Sequence, residues 1–310
     1  MRESFHIPVL RDKVLDYLQI QEGGFFVDCT LGDGGHAEGI LRRGGTVWGI
    51  DRDETAVSYA LNRLNPFGER FRAVRAKFSC IVSIVGVHAG AVDGVLMDVG
   101  VSSRMIDDPT RGFSYLLDGP LLMDMGLSET RAEEIINTWD APKLAKVFRD
   151  YGEERHARRI AGAIVQRRSS SPIATTAELA DIVERTVGGK FPQKSKARIF
   201  QALRIAVNDE LDELRWGLEG ARDVLRPGGR LCVISYHSLE DRTVKKFMRR
   251  EEKPCVCPPD LPECRCGREA TLRVVTRRPV RPDDCEVTLN PRSRSARLRV
   301  AEKLKGTGHA

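Results

Sequence analysis

The sequence lacks any apolar run long enough to cross a bilayer. Its longest stretch without Asp, Glu, Lys or Arg runs from Phe78 to Val92, broken by Ser, Gly and His, whereas a membrane helix needs about 20 apolar residues. The opening residues, MRESFHIPVLRDKVLDYL, scatter charges and hold no apolar segment of the secretory type, so a cytoplasmic protein with no membrane partner is expected. Collagen-like and low-complexity architectures are excluded, because 28 Gly and 15 Pro in 310 residues are near ordinary usage. A disordered chain would be poorer in apolar residues than the 41% found here. No internal repeat is evident. Charge of one sign is also scarce: 50 Lys and Arg face 44 Asp and Glu, which permits a polyanionic partner without demanding one. The small excess is unevenly placed. Residues 264–305 hold 12 Lys and Arg against 5 Asp and Glu, leaving the rest nearly neutral.

What is present alternates. Apolar runs at Phe25–Cys29, Thr46–Ile50, Phe71–Arg75 and Val92–Val99 read as strands, and His36–Arg43 and Thr55–Leu64 as helices between them. That order argues for a parallel α/β sheet. From about Asp107 to Phe200 strand signals fade and helical periodicity takes over, punctuated by Pro142, Pro172, Gly188 and Pro192. The reading is a sheet domain, 1–106 with 201–310, interrupted by an inserted all-helical domain, 107–200. Alternation then resumes. Ala202–Leu225 reads as one long helix stopped by Pro227-Gly228-Gly229, followed by a strand at Arg230–Ser235, a helix at Leu239–Arg250, and strands at Leu272–Thr276 and Ala296–Val300.

Two strand ends carry the first chemical signals. Val27-Asp28-Cys29-Thr30-Leu31-Gly32-Asp33-Gly34-Gly35-His36 runs from a strand through a Gly-rich turn into a helix, which lets backbone approach a ligand. It lacks a clean G-x-G-x-x-G, and a plain tight connection is the competing reading. Asp51 ends the next strand, nineteen residues past Gly32, where a carboxylate can accept both ribose hydroxyls of an adenosine cofactor. NAD and S-adenosylmethionine both fit at this point; a helix cap is the alternative for Asp51. The fourth strand ends in Asp98-Val99-Gly100-Val101-Ser102-Ser103. An exocyclic base amine is a poor nucleophile because its lone pair is delocalised. Fixed oxygens such as those of Asp98 and Ser102 would accept its N–H groups and favour the geometry of attack. A helix cap is the alternative for Ser102.

These segments and others in the same order make the chain resemble the bacterial small-subunit ribosomal RNA cytosine-N4 methyltransferases, the MraW/RsmH type. They are His6-x-Pro-Val-Leu, the Gly32–His36 turn, Gly49-Ile-Asp51-Arg-Asp53, Asp98-x-Gly-Val-Ser-Ser103, Arg111-Gly-Phe-Ser114, Tyr151-Gly-Glu-Glu154, Phe200-Gln-Ala-Leu-Arg-Ile-Ala-Val-Asn208, Ile234-Ser-Tyr-His-Ser-Leu-Glu-Asp-Arg242 and Asn290-Pro-Arg-Ser293, with the Cys pairs described below. The resemblance implies a class I S-adenosylmethionine-dependent methyltransferase fold, Rossmann-like with a mostly parallel seven-stranded sheet and a helical insertion. It implies methylation of the N4 amine of one cytidine of 16S ribosomal RNA, near the decoding centre of the small subunit. Carried over by position, cofactor contacts fall on Gly34, Gly35, His36, Asp51, Phe78 and Asp98, with Phe78 placed to stack on adenine. Three positions depart from the family. Met105 stands where Gln is usual, so a cofactor contact there survives by position only. Leu122 and Asp124 replace an acid and an Arg. His156 occupies a variable position and reads as a surface residue.

Other candidates come from residue type. His237 follows the fifth strand and could relay the proton lost on methylation, or be held structurally by Glu240 or Asp241. Asn208 could bind a base edge or cap a loop, and Tyr236 could stack on a flipped base. Cys255, Cys257, Cys264 and Cys266 have the residue type for zinc, but six residues separate the two Cys-x-Cys pairs where zinc knuckles more often have two. A Pro-rich surface loop with reduced thiols is the competing reading. Basic clusters at Arg155, Arg158, Arg159, Arg167 and Arg168, at Lys190, Lys194, Lys196 and Arg198, and at Arg292, Arg294, Arg297 and Arg299 are candidate RNA contacts, or solvated faces. A methyltransferase acting on another nucleic-acid amine is the alternative, although a DNA enzyme would usually show Pro-Pro-aromatic after the fourth-strand acid. A catalytically silent RNA-binding assembly factor is a further one. Monomer and homodimer both stay open.

Overall fold

The computed structural model describes residues 8–189, 192–258 and 265–305. The chain divides into two units, residues 1–100 with 211–310, and residues 101–210. In chain order the first unit opens with α1 (Arg11–Leu18), β1 (Phe25–Asp28), α2 (Gly35–Arg42), β2 (Thr46–Asp51), α3 (Glu54–Leu64), β3 (Phe71–Arg75), α4 (Ile81–Val85) and β4 (Val92–Asp98). The second unit contains α5 (Ser103–Asp107), α6 (Ala132–Thr138), α7 (Ala141–Asp150), α8 (Ala157–Arg168), α9 (Thr176–Val187) and α10 (Pro192–Asn208). The remainder is α11 (Glu210–Val224), β5 (Leu225–Ser235), α12 (Ser238–Glu252), β6 (Leu272–Val274), α13 (Asp284–Leu289) and β7 (Arg297–Lys303). Among the described residues, no helix is long and apolar enough to cross a membrane.

The first unit is built on one seven-stranded sheet of order β3-β2-β1-β4-β5-β7-β6. Strands β3 to β5 are parallel, and β7 runs antiparallel to both β5 and β6. This is the expected Rossmann-like, class I arrangement. The stretches Val95–Met97 of β4 and Leu231–Ile234 of β5 are apolar and fully buried because both faces are covered there. In β4, Val95 and Met97 join one core with Leu214 and Leu218 of α11 and Phe247 of α12. Leu96 points the other way, into a core with Leu15 of α1, Ile40 of α2 and Leu64 of α3. The strand order turns back between β1 and β4, so their carboxyl ends flank the crevice where ligands bind in such sheets.

The helical unit has its own core, in which Phe148 of α7, Ile160 and Ile164 of α8, Val183 of α9 and Leu203 of α10 are fully buried. Helix α7 packs on α8, α8 on α9, and α10 on α9, α7 and α6. A capping box starts α9: Thr175 accepts the N–H of Glu178, whose carboxylate accepts the N–H of Thr175. The Arg111-Gly-Phe-Ser114 motif has a steric reason here. Gly112 has φ +70°, and a Cβ on it would lie 2.0 Å from the Pro120 carbonyl oxygen.

One expected element is corrected. The helix read over Ala202–Leu225 is two, α10 and α11, divided at Asp209, whose φ is +49°. Helical periodicity continues through the break, so the pattern hides it.

Candidate active site

Three neighbouring strands of the first unit end in carboxylates: Asp28 on β1, Asp51 on β2 and Asp98 on β4. β1 lies between the other two, so Asp28 is the middle acid. It is 1% exposed, and its carboxyl is pushed up to about 6. Burial is the main cause, with the charges of Asp98 and Asp51 adding to it, while His36 and the Thr30 N–H pull the other way. One oxygen accepts that N–H at 3.1 Å; the other, Oδ2, is buried with no hydrogen-bond partner among the described residues.

Asp51 organises the Gly-rich turn. Its Oδ2 accepts the Gly32 N–H at 2.9 Å and its Oδ1 accepts the Asp53 N–H at 2.9 Å. Burial nevertheless raises its carboxyl above the ordinary value. The cap reading of this acid thus belongs to Asp53, whose Oδ1 accepts the Thr55 N–H at the start of α3. Gly34 caps α2 with φ +76°, a conformation an L side chain adopts only under strain. A Cβ on Gly35 would lie 2.4 Å from the Pro8 ring. These contacts bring His36 into the first turn of α2, 6% exposed, with neither ring nitrogen hydrogen-bonded among the described residues and Nε2 3.7 Å from Asp98 Oδ2.

Asp98 is held from two sides. Its N–H donates to Thr30 Oγ1 at 2.6 Å, and its Oδ1 accepts the Tyr236 O–H at 2.9 Å. Burial first, then the Asp98 charge, push the Tyr236 phenol well above its usual range, so it stays a donor. The sequence suggested a stacking role for Tyr236; the structure gives it a hydroxyl anchored on the fourth-strand acid. Phe78 follows β3, where the chain is tied back by the Ala76 N–H donating to the Asp51 carbonyl at 2.9 Å. Its half-buried ring lies against Gly217 of α11; a Cβ there would come within 2.4 Å of Phe78 Cδ2.

The remaining expected residues divide. His237 caps α12: its Nδ1 faces the Glu240 N–H at 3.5 Å, and its Nε2 lies 3.0 Å from Glu240 Oε1. Both nitrogens face Glu240, the arrangement expected of the structural alternative, and the same pairing is compatible with a proton relay. Ser102 caps α5 by accepting the Met105 N–H at 3.2 Å. Met105, carried over as a cofactor contact by position, is 6% exposed in the core of the helical unit. The structure gives Asn208 the loop-capping role, the alternative to base reading. Its Oδ1 accepts the Met125 N–H at 2.9 Å and the Ser128 O–H at 2.7 Å, and its Nδ2 donates to the Met123 and Arg204 carbonyls, both at 2.8 Å. That uses its two donors and both lone pairs on the loop and on its own helix. Asp124 closes the same loop, accepting the Gly126 and Ser128 N–H groups at 2.7 and 3.1 Å.

Cys255, Cys257 and Cys266 come together, their sulfurs all within 4.8 Å of one another. Cys264, Lys190 and His6 lie outside the described residues. Two of the C-terminal arginines are engaged internally: Arg297 and Arg299 both bond Asp241, and Arg299 is 7% exposed. Asp28 and Tyr236 are the site residues the sequence reading missed in their observed roles. An acid closing the apolar run Phe25–Val27 was the available signal for Asp28.

Comparison with known proteins places this geometry in context. A family model described as the MraW methylase family matches residues 3–304. A relative from Carboxydothermus hydrogenoformans named ribosomal RNA small subunit methyltransferase H is 48% identical over 307 residues, covering 97% of this chain and 99% of its own. One of the same name from Symbiobacterium thermophilum is 49% identical over 310 residues, covering 97% of each. A third, from Geotalea uraniireducens, is 46% identical over 312 residues, covering 98% of this chain and all of its own.

Proposed function

The chain belongs to the MraW methylase family, and from that premise we propose that it methylates the exocyclic N4 amine of one cytidine in 16S ribosomal RNA, near the decoding centre, using S-adenosylmethionine. Likeness along the full length to relatives named for methylation of small-subunit ribosomal RNA supports the substrate class. The observation that carries the reading is Asp98, a strand-end carboxylate held by Tyr236 and Thr30 beside an unbonded, buried His36.

The residues present fit the cofactor. Among the described residues, buried polar atoms of Asp28 and His36 have no hydrogen-bond partner, and such atoms call for a ligand. Gly34, Gly35, His36, Asp51, Asp98 and Phe78 would hold it. The three carboxylates make an electronegative edge suited to a sulfonium cation. When bound, the cofactor supplies a methyl group on that sulfonium, which needs positioning rather than activation.

The protein's work is on the amine. Tyr236 occupies Asp98 Oδ1, which orients the carboxylate and leaves Oδ2 to accept an N–H of the base. That bond draws electron density toward the nitrogen and favours the pyramidal geometry of attack. The fixed oxygens cost no reorganisation during the reaction. Glu240 positions the preceding turn, accepting the N–H groups of Tyr236 and His237 at 2.8 and 3.2 Å. The helical unit, with exposed Arg155 and Arg158, serves recognition of RNA phosphates.

The test is methyl transfer from labelled S-adenosylmethionine to small subunits isolated without the modification, followed by nucleoside analysis. N4-methylcytidine in 16S ribosomal RNA is the expected product. Absence of label at cytosine N4 would overturn the proposal.

A further inference from the structure

We propose that the connection between α12 and β6 is a structural zinc site, held by the thiolates of Cys255, Cys257 and Cys266. The connection, residues 253–271, is long for a segment with no regular element among its described residues. Its base is pinned: the Thr271 N–H donates to the Glu251 carbonyl at 2.9 Å, its hydroxyl to Glu251 Oε2 at 2.6 Å, and the Leu304 N–H to the Thr271 carbonyl at 2.9 Å. Beyond that base no apolar core holds the described residues. Side chains from Lys253 to Pro258 and from Arg265 to Ala270 are exposed or half-buried, and Val256 is 63% exposed. Yet three sulfurs from the two arms lie within 4.8 Å of one another.

That spacing suits a metal. Zn–S bonds of about 2.3 Å in a tetrahedron set sulfurs about 3.8 Å apart, so closure needs a contraction of about 1 Å or less. The Arg265 N–H donates to Cys257 Sγ at 3.4 Å, the backbone contact that steadies a thiolate ligand. A soft sulfur set selects zinc over magnesium or calcium. Each thiol loses its proton as its Zn–S bond forms, with no change of oxidation state. Cys264 lies outside the described residues, and the three sulfurs carry the proposal without it. The metal would tie one arm of the connection to the other, where a core is missing, and takes no part in methyl transfer.

Untagged protein purified without chelator is expected to carry about one zinc per chain by elemental mass spectrometry. Cys257→Ser and Cys266→Ser should each lose it, while Cys285→Ser, at an exposed cysteine outside the cluster, should keep it. Cobalt(II) added to the stripped protein should give sulfur-to-metal charge-transfer absorption that Cys257→Ser lacks. Trypsin should cut after Arg265 or Arg268 in stripped protein and spare both in the zinc-loaded form, a readout that does not depend on activity. Native protein with less than about a tenth of a zinc per chain overturns the site. So does zinc retained by the Cys257→Ser, Cys266→Ser double variant, a disulfide joining the clustered cysteines in protein kept reduced, or iron in place of zinc.

Discussion

Asp28 stores an electrostatic cost at the centre of the site. Its folded pKa of about 6 lies above the ordinary 3.8, so the folded state binds the extra proton. Stability from this group is complete below about pH 4 and is lost as pH rises through about 6, a total of about 3 kcal/mol. Asp28→Asn removes the titration. Its stability relative to the native chain should therefore rise by about 1 kcal/mol between pH 5 and pH 7.5, measured by urea unfolding. A difference that stays constant with pH would contradict the assignment. Asp98 and Tyr236 make the second test at this scale. Tyr236→Phe deletes the donor to Asp98 Oδ1 with little change in shape, and should lower kcat about tenfold while costing about 1 kcal/mol of stability. Asp98→Ala should lower kcat by about 100-fold or more, with cofactor saturating. Single-turnover assays separate both from substrate binding. A Tyr236→Phe enzyme that turns over like the native one would remove the hydroxyl from the mechanism.

Asn208 shows how an element end can resemble a reactive residue. It closes α10 and clamps the 123–128 loop through bonds that the sequence alone does not reveal, since its partners Met123 and Met125 are more than eighty positions away. Asn208→Ala leaves the buried Met125 N–H and Met123 carbonyl unpaired, and should destabilise the helical unit by about 3 kcal/mol in denaturant unfolding. A loss under about 1 kcal/mol would return Asn208 to the list of direct RNA contacts. The same limit explains what was legible elsewhere. β1, β2 and β4 were readable because short apolar runs end at Gly or Asp, and Asp51 and Asp98 stood out as acids at strand ends. Local pattern could not show that Asp53 rather than Asp51 caps α3, that α10 breaks at Asp209, or that Tyr236 reaches Asp98 across 138 positions. α1 was missed for a related reason: it is bounded by Leu10 and Gln19 in left-handed conformations rather than by a recognisable cap.

At the scale of the whole chain, the basic C-terminal segment separates into two kinds of arginine. Arg297 and Arg299 close on Asp241; burial alone would raise that carboxyl, but the two guanidiniums more than reverse it and hold it below the ordinary range. Arg277, Arg278, Arg281 and Arg294 are exposed in the same segment. Only the second kind can meet phosphate without breaking the fold. Each phosphate neutralised by a protein cation releases a counterion, so log K falls with log salt by about 0.7 to 0.9 per contact. Replacing these four arginines by Gln should weaken binding to the small subunit at low salt and flatten that slope by about 3, with the unfolding midpoint nearly unchanged. Arg299→Gln should do the opposite. It leaves Asp241 short of its buried partner, costs about 3 kcal/mol of stability, and leaves the salt slope as it was. Equal slopes for the fourfold variant and the native chain would place the RNA contacts elsewhere, and the exposed arginines of the helical unit, Arg155 and Arg158, would be the next pair to neutralise.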